Sequence, residues 1–193
     1  MPCTVRENFF SDVVEYHEDD FEAGIIQGST NMKTIEITGK NYSGYWDKSR
    51  TTCRGIVLKG PLVLLSYETL TGQYMIPGGG MEDGEDEAEC CAREVSEETG
   101  LVTKPSACML EIDEYYEDWK YISRYFVCKV TGSCGQKLTE RERSVGMEPR
   151  WVPVEEAMEI FSRHGDYAAT DEMRRGIYFR EYNALLNIMR SDG

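Results

Sequence analysis

This chain has no apolar run of membrane-spanning length, no apolar signal core at its N-terminus, no C-x-x-C pair and no excess of positive charge. Each absence removes a class of function. A helix needs about 20 apolar residues to span a bilayer, and MPCTVRENFFSD at the start lacks the apolar stretch of a secretory signal. A cytoplasmic location is therefore expected, with no membrane partner. The seven cysteines are an odd number, and Cys90 and Cys91 stand side by side in a helical pattern. That usage suits reduced thiols rather than a disulfide framework or a structural zinc site. There are two histidines, His17 and His164, and neither is read as part of a local metal-ligand set; both are expected on the surface or in packing. The formal net charge is −14. Such a balance disfavours nonspecific attraction to nucleic acid or anionic membranes, and no nucleic-acid partner is expected. An acidic chain that handles phosphates needs arginines, lysines or metal ions to offset repulsion.

What remains suits one soluble domain with a modest appendage: 193 residues, 40% hydrophobic and 29% charged. Residues 1–31 stand apart. Phe9, Phe10, Val13 and Val14 fit one side of a short helix, then the chain turns acidic, and IIQGSTN reads as a linker. This segment is read as an N-terminal extension, a helix or partly ordered arm, or as sequence upstream of a start at Met32. Residues 32–193 form the expected compact domain. RGIVLKG and LVLLSYE read as strands around a Gly60–Pro61 turn, and QYMIP as a third. Further strands are expected in ACMLEIDEYY, YISRYFVCKV and RWVPV. VEEAMEIFS and TDEMRRGIYFREYNALLNIMR read as helices. Strands on both sides of one central helix predict an α+β fold, an α/β/α sandwich with a mixed sheet between helices.

The central helix carries the chemistry. Asp86 with Glu89 forms a capping pair and Gly100 a natural C-terminal stop, so the helix is predicted over Glu87–Thr99. Ala88, Cys91, Ala92, Val95 and Thr99 make one narrow packing face. Arg93 and Glu97 are i, i+4 neighbours of opposite charge, whereas Glu94 and Glu98 at the same spacing repel by about 0.2–0.5 kcal/mol on an exposed helix. Glu97 and Glu98 also sit in the last turn, where the helix dipole disfavours anions by roughly 0.3–1 kcal/mol each. A sequence chosen for stability alone would place Lys or Arg there, which marks these acids as site candidates. A hard divalent cation such as Mg2+, which takes oxygen ligands, would remove the conflict. The preceding Pro77–Gly78–Gly79–Gly80 lets backbone carbonyls approach the same ion. The glycines are not a phosphate-binding Walker A loop, since no G-K-[ST] follows, and EDGEDEAE does not have calcium-loop spacing.

The stretch from Gly79 to Leu101 resembles the signature of the Nudix hydrolase family, G-x5-E-x7-R-E-U-x-E-E-x-G-U with U apolar. Gly79, Glu85, Arg93, Glu94, Val95, Glu97, Glu98, Gly100 and Leu101 match every fixed position, and the order of strands and helices from about residue 32 is similar to the family's sandwich. The resemblance implies hydrolysis of the diphosphate linkage in a nucleoside diphosphate joined to another moiety, with Mg2+ or Mn2+ as cofactor. It implies that Glu94, Glu97 and Glu98 form the acidic core of the metal site, with the Gly78 carbonyl as a further ligand. Helical spacing makes Glu94 and Glu98 the most direct ligands; Arg93 is expected mainly to hold Glu97, and Glu85 to brace the loop. Such a cation neutralises phosphate oxygens and lowers the pKa of a bound water for in-line attack on phosphorus.

Several roles stay open. The general base is a box glutamate or one of Glu140, Glu142 and Glu148 in LTERERSVGMEPRW. Arg54, Arg141 and Arg143 are candidates for phosphate contact or for ordinary surface ion pairs. Tyr115, Tyr116, Trp119 and Tyr121 are candidates for base stacking or for hairpin packing. The terminal helix carries Met173, Ile177, Leu185, Leu186, Ile188 and Met189, too many for one stripe, so it is either well buried or part of a homodimer. The competing functional class is a noncatalytic nucleotide-binding regulatory module on the same fold, against which the complete set of box acids speaks. Substrates open at this level are ADP-ribose and other nucleotide sugars, nucleoside triphosphates, dinucleoside polyphosphates and diphosphoinositol phosphates.

Overall fold

The computed structural model describes residues 4–6 and 32–191. The helix expected around Phe9–Val14 lies outside these residues, as does His17. Ten strands and four helices follow in order: β1 (Thr4–Arg6), β2 (Lys33–Thr38), β3 (Lys48–Ile56), β4 (Leu58–Lys59), β5 (Leu62–Glu68), β6 (Gln73–Met75), β7 (Gly78–Gly80), α1 (Glu87–Thr99), β8 (Leu101–Tyr116), β9 (Trp119–Ser133), α2 (Glu140–Ser144), β10 (Met147–Pro153), α3 (Val154–Ser162) and α4 (Glu172–Ser191), with a 3-10 turn at Arg163–Tyr167 between the last two.

Two sheets share the strands. The larger has the order β1-β2-β8-β9-β3-β7, and the smaller is β10-β5-β4 with β6 on the other edge of β5. The larger sheet is mixed: β2 runs parallel to β8 and β3 parallel to β9, while β8 with β9 and β3 with β7 are antiparallel. The Gly60–Pro61 turn closes β4 on β5, with Lys59 opposite Leu62. Two elements depart from the sequence reading. Gly78–Gly80, expected as a loop, pairs with Thr52–Arg54 as a short strand; residues with no side chain show no alternation from which a strand can be read. Within LTERERSVGMEPRW, where no helix is expected from the sequence, Thr139 and Glu142 form a reciprocal capping box and start the single-turn α2.

One face of the mixed sheet carries α1 and the other α4, while α3 packs on α4 and on β5 and β10 of the smaller sheet. Beneath α1 lies a core of Cys53, Val57, Leu64, Cys90, Cys91, Val95, Phe126 and Cys128. Gly55 on β3 admits the helix, because a Cβ there would stand 2.4 Å from Val95 Cγ2. Burying Val95 fully stabilises the seat by about 1.5–3 kcal/mol. The buried arc of α1 is Cys90, Cys91, Val95, Glu98 and Thr99, with Ala88 and Ala92 half-buried. It is rotated from the expected face because α1 also leans on β7 and β5. The six cysteines among the described residues are unpaired thiols.

The second core joins Ile35, Ile37, Ile56, Leu65, Ile76 and Ile112 to Phe161, Tyr178, Ala184, Leu185 and Ile188. Much of the apolar surplus of α4 is thus spent on packing within the chain; of the six residues noted above, Met173 is the most exposed at 76%. His164 packs on Phe179 with ring centroids 4.6 Å apart. No helix among the described residues is long and apolar enough to cross a membrane.

Candidate active site

Helix α1 is fixed at both ends. Asp86 accepts from the Glu89 amide at 2.8 Å and Glu89 accepts from the Asp86 amide at 2.9 Å. Gly100 closes the other end at φ 73°, where its amide donates to Ser96 O at 2.9 Å. The last turn contains no basic residue.

Arg93 is the hub of the exposed side. Its Nε and Nη2 grip Glu85 bidentately at 3.0 and 2.7 Å, Nη1 reaches Glu94 at 2.8 Å and Glu97 at 3.3 Å, and Nη2 also donates to Gly80 O at 3.0 Å. The i, i+4 partnership with Glu97 is therefore present, but Glu85 takes the stronger, two-pronged share. Glu85 in turn accepts from the Glu82 amide at 2.6 Å, tying the loop before the helix. The guanidinium holds the Glu85 carboxyl well below the usual range, at about 2.

Glu98 lies on the opposite, buried side, 5% exposed. Its Oε2 accepts from Ser66 Oγ at 2.5 Å and from the Gly78 amide at 3.4 Å. Burial pushes its pKa up to about 8, against the pull of Ser66 and Arg54. The Glu94 carboxyl is also raised, first by burial, with Arg93 opposing and Glu97 and Glu142 adding repulsion. The small exposed-helix repulsion estimated from spacing is thus outweighed by desolvation. Gly79 makes room for this arrangement, because a Cβ on it would stand 2.4 Å from Glu94 Oε2.

The other candidates divide. Arg54, 8% exposed, turns inward and donates from Nη1 to Ile76 O at 3.0 Å and Gly78 O at 3.5 Å, so it backs the glycine strand from inside. Arg141 reaches the buried Glu68 at 3.5 Å, and Arg143 donates to Leu138 O. Among Glu140, Glu142 and Glu148, Glu142 is the acid whose charge acts on both Glu94 and Glu98; Glu148 is held by Arg150 at 2.7 Å. Trp119 and Tyr121 stack on each other with centroids 5.5 Å apart, and Tyr115 packs on Tyr42 at 5.4 Å. Tyr116 fills the space beside Gly39 and Gly176.

Two residues enter that sequence reasoning missed. Ser66, fully buried, anchors Glu98; its trace in the sequence is one hydroxyl inside an otherwise apolar LVLLS run. Arg50 on β3 is exposed, makes no ion pair among the described residues and lays its guanidinium against Gly80, 2.9 Å from where a Cβ would be.

The groups expected from the sequence to hold a cation, the Glu94, Glu97 and Glu98 carboxylates and the Gly78 carbonyl, offer only oxygen donors; in the structure Glu97 is held by Arg93, and the Gly78 carbonyl accepts from Arg54. That chemistry fits Mg2+ or Mn2+, and burial raises the Glu94 and Glu98 carboxyls despite the opposing charges of Arg93 and Arg54. Among the described residues, no three His, Cys, Asp or Glu side chains already converge as a formed metal cluster.

Comparison with known proteins shows the family and the fold. The NUDIX domain family matches residues 51–173. Diphosphoinositol polyphosphate phosphohydrolase NUDT4B of Homo sapiens is 30% identical over 123 residues, which cover 63% of this chain and 65% of that protein. The matched stretch thus spans just under two thirds of the human relative. Diphosphoinositol polyphosphate phosphohydrolase 3-alpha of Mus musculus is 28% identical over the same length, covering 63% of this chain and 72% of the relative. A solved Nudix hydrolase from Nitrosomonas europaea has the same fold, with a TM-score of 0.50 at 22% identity over 71% of this chain and 90% of that one.

Proposed function

This chain belongs to the Nudix family, and we propose that it is a divalent-metal-dependent pyrophosphohydrolase that cleaves the diphosphate linkage of a nucleoside diphosphate joined to another moiety. The observation that carries this reading is the buried Glu98 carboxylate, held by Ser66 beside Gly78 and one turn from the half-buried Glu94. Two desolvated acids one turn apart, with Glu98 in the anion-disfavouring last turn of the helix, make physical sense as the seat of a cation.

Glu94 and Glu98, with Glu97 and the Gly78 carbonyl, would hold Mg2+ or Mn2+. When bound, the ion supplies neutralisation of phosphate oxygens and a water of lowered pKa. The chain's own residues supply the rest. Arg93 orients Glu94 and locks the preceding loop through Glu85. Arg50, on the open side of Gly80, offers a planar cation to a phosphate oxygen. Glu142 is the later-loop acid best placed to accept a proton from the attacking water, given its electrostatic reach to Glu94 and Glu98.

The relatives' names favour a second substrate, a diphosphoinositol polyphosphate, in which a diphosphate is again the group cleaved. A panel of nucleotide sugars, dinucleoside polyphosphates, nucleoside triphosphates and diphosphoinositol polyphosphates, incubated with Mg2+ and analysed for both products, tests the reading. Metal-dependent release of two phosphate-bearing products from a diphosphate conjugate is expected. Nucleotide binding without turnover of any member would favour the regulatory-module alternative.

A further inference from the structure

Five polar side chains from four different elements meet in the interior between α4 and the mixed sheet: Arg54 on β3, Glu114 on β8, Tyr125 on β9, and Arg180 and Glu181 on α4. None is more than 8% exposed. Arg54 and Tyr125 are register partners on the parallel β3–β9 pair, so both rise from the same face toward α4. Glu181 is the centre. Its Oε2 accepts from Tyr125 Oη at 3.0 Å, and its Oε1 accepts from Arg180 Nη2 at 2.7 Å and faces Arg54 Nη1 at 3.8 Å. Arg180 Nη1 continues to Glu114 Oε2 at 3.2 Å.

The chain of contacts leads out of the core to the glycine strand. Arg54 Nη1, steadied by Glu181, is the donor to the carbonyls of Ile76 and Gly78 at 3.0 and 3.5 Å. Pro77 between them is pinned by the Gly55 amide at 2.9 Å, and the Gly78 amide faces Glu98. A buried cluster of two arginines and two glutamates is weak evidence for a stabilising role, since apolar side chains fill such space without desolvating charge. What apolar side chains cannot do is fix the direction of two backbone carbonyls. Arg180 and Glu181 also lie beyond residue 173, where the family match ends.

We propose that Glu181 and Arg180 of α4 are positioning residues for the metal-holding strand: they set Arg54, and Arg54 sets Ile76 and Gly78 opposite Glu98. This rests on the metal-dependent reading of the site given above.

The test is Mn2+ binding to substrate-free protein, read from the electron paramagnetic resonance of free Mn2+. Glu181→Gln is expected to weaken Mn2+ binding at least fivefold and to lower kcat about tenfold, with KM for the diphosphate substrate within twofold. In metal-free protein the Gly78 amide is expected to exchange its hydrogen at least tenfold faster. Arg54→Lys, which keeps the charge but loses the fork, is the second variant and should shift Mn2+ affinity the same way even where Glu181→Gln fails to fold. Leu185→Ala, an apolar core change on the same helix, should lower the melting temperature as much yet leave Mn2+ affinity within twofold. Mn2+ affinity within twofold of wild type in Glu181→Gln or Arg54→Lys would overturn the proposal alone, as would an equal loss in Leu185→Ala. Wild-type protein that binds no Mn2+, or Glu98→Gln protein that binds it normally, would overturn the reading of the site together with the proposal.

Discussion

Ser66 donates a 2.5 Å hydrogen bond to Oε2 of Glu98, joining strand β5 of the smaller sheet to the last turn of α1. The bond holds the Glu98 carboxyl down against the upward push of burial. In Ser66→Ala, Oε2 keeps the more distant Gly78 amide, and the carboxyl moves further up. The expected result is a pH–rate profile whose acid limb shifts to higher pH, with turnover at pH 7 reduced about tenfold. The stability change should be modest, about 1 kcal/mol.

Glu98 also makes its own contribution to how metal-free stability depends on pH. Its folded value is about 8 against 4.5 for the unfolded chain, so between those values the folded state holds the extra proton. Its contribution is therefore fully present below about pH 4.5 and is lost as pH rises through about 8, at up to roughly 1.4 kcal/mol per unit. Thermal denaturation in EDTA should show Glu98→Gln more stable than wild type at pH 8, with little difference at pH 5. Mg2+ should raise the wild-type melting temperature more at pH 8 than at pH 6, since proton and cation compete for one carboxylate.

Gly79 is needed for space rather than for a turn. An alanine Cβ would fall 2.4 Å from Glu94 Oε2, the end of a side chain that can move aside. Gly79→Ala should therefore fold with a melting temperature close to wild type while losing at least tenfold in kcat. Circular dichroism with steady-state kinetics separates the two effects.

Arg50 is argued to meet substrate phosphate, so Arg50→Ala should raise KM about tenfold and leave kcat within threefold, the pattern of lost ground-state binding. Arg50→Lys should recover only part of the loss if the planar fork matters.

Much of this was legible in the sequence because it is local. The Asp86–Glu89 pair and Gly100 give α1 its observed limits, and Pro153 with the apolar spacing of VEEAMEIFS does the same for α3. The Glu94–Glu98 spacing singled out, without any tertiary information, two acids whose carboxyls burial raises in the fold. What stayed hidden depends on contacts far apart in the chain. Arg54 reads as a surface cation, yet its carbonyl partners come from β6–β7 and its carboxylate from α4. Arg180 and Glu181 carry no motif or periodicity that singles them out, and they are buried against Glu114 of β8 and Tyr125 of β9. Ser66 and Arg50 have neither periodicity nor motif to mark them.

The most direct test of the central claim is Mg2+-dependent turnover of the best diphosphate substrate by wild type and Glu98→Gln, compared at matched circular dichroism. If Glu98 is a cation-holding carboxylate of a pyrophosphohydrolase, the variant keeps its fold and loses at least a hundredfold in kcat. A folded Glu98→Gln protein with near-normal, metal-dependent turnover would contradict the account.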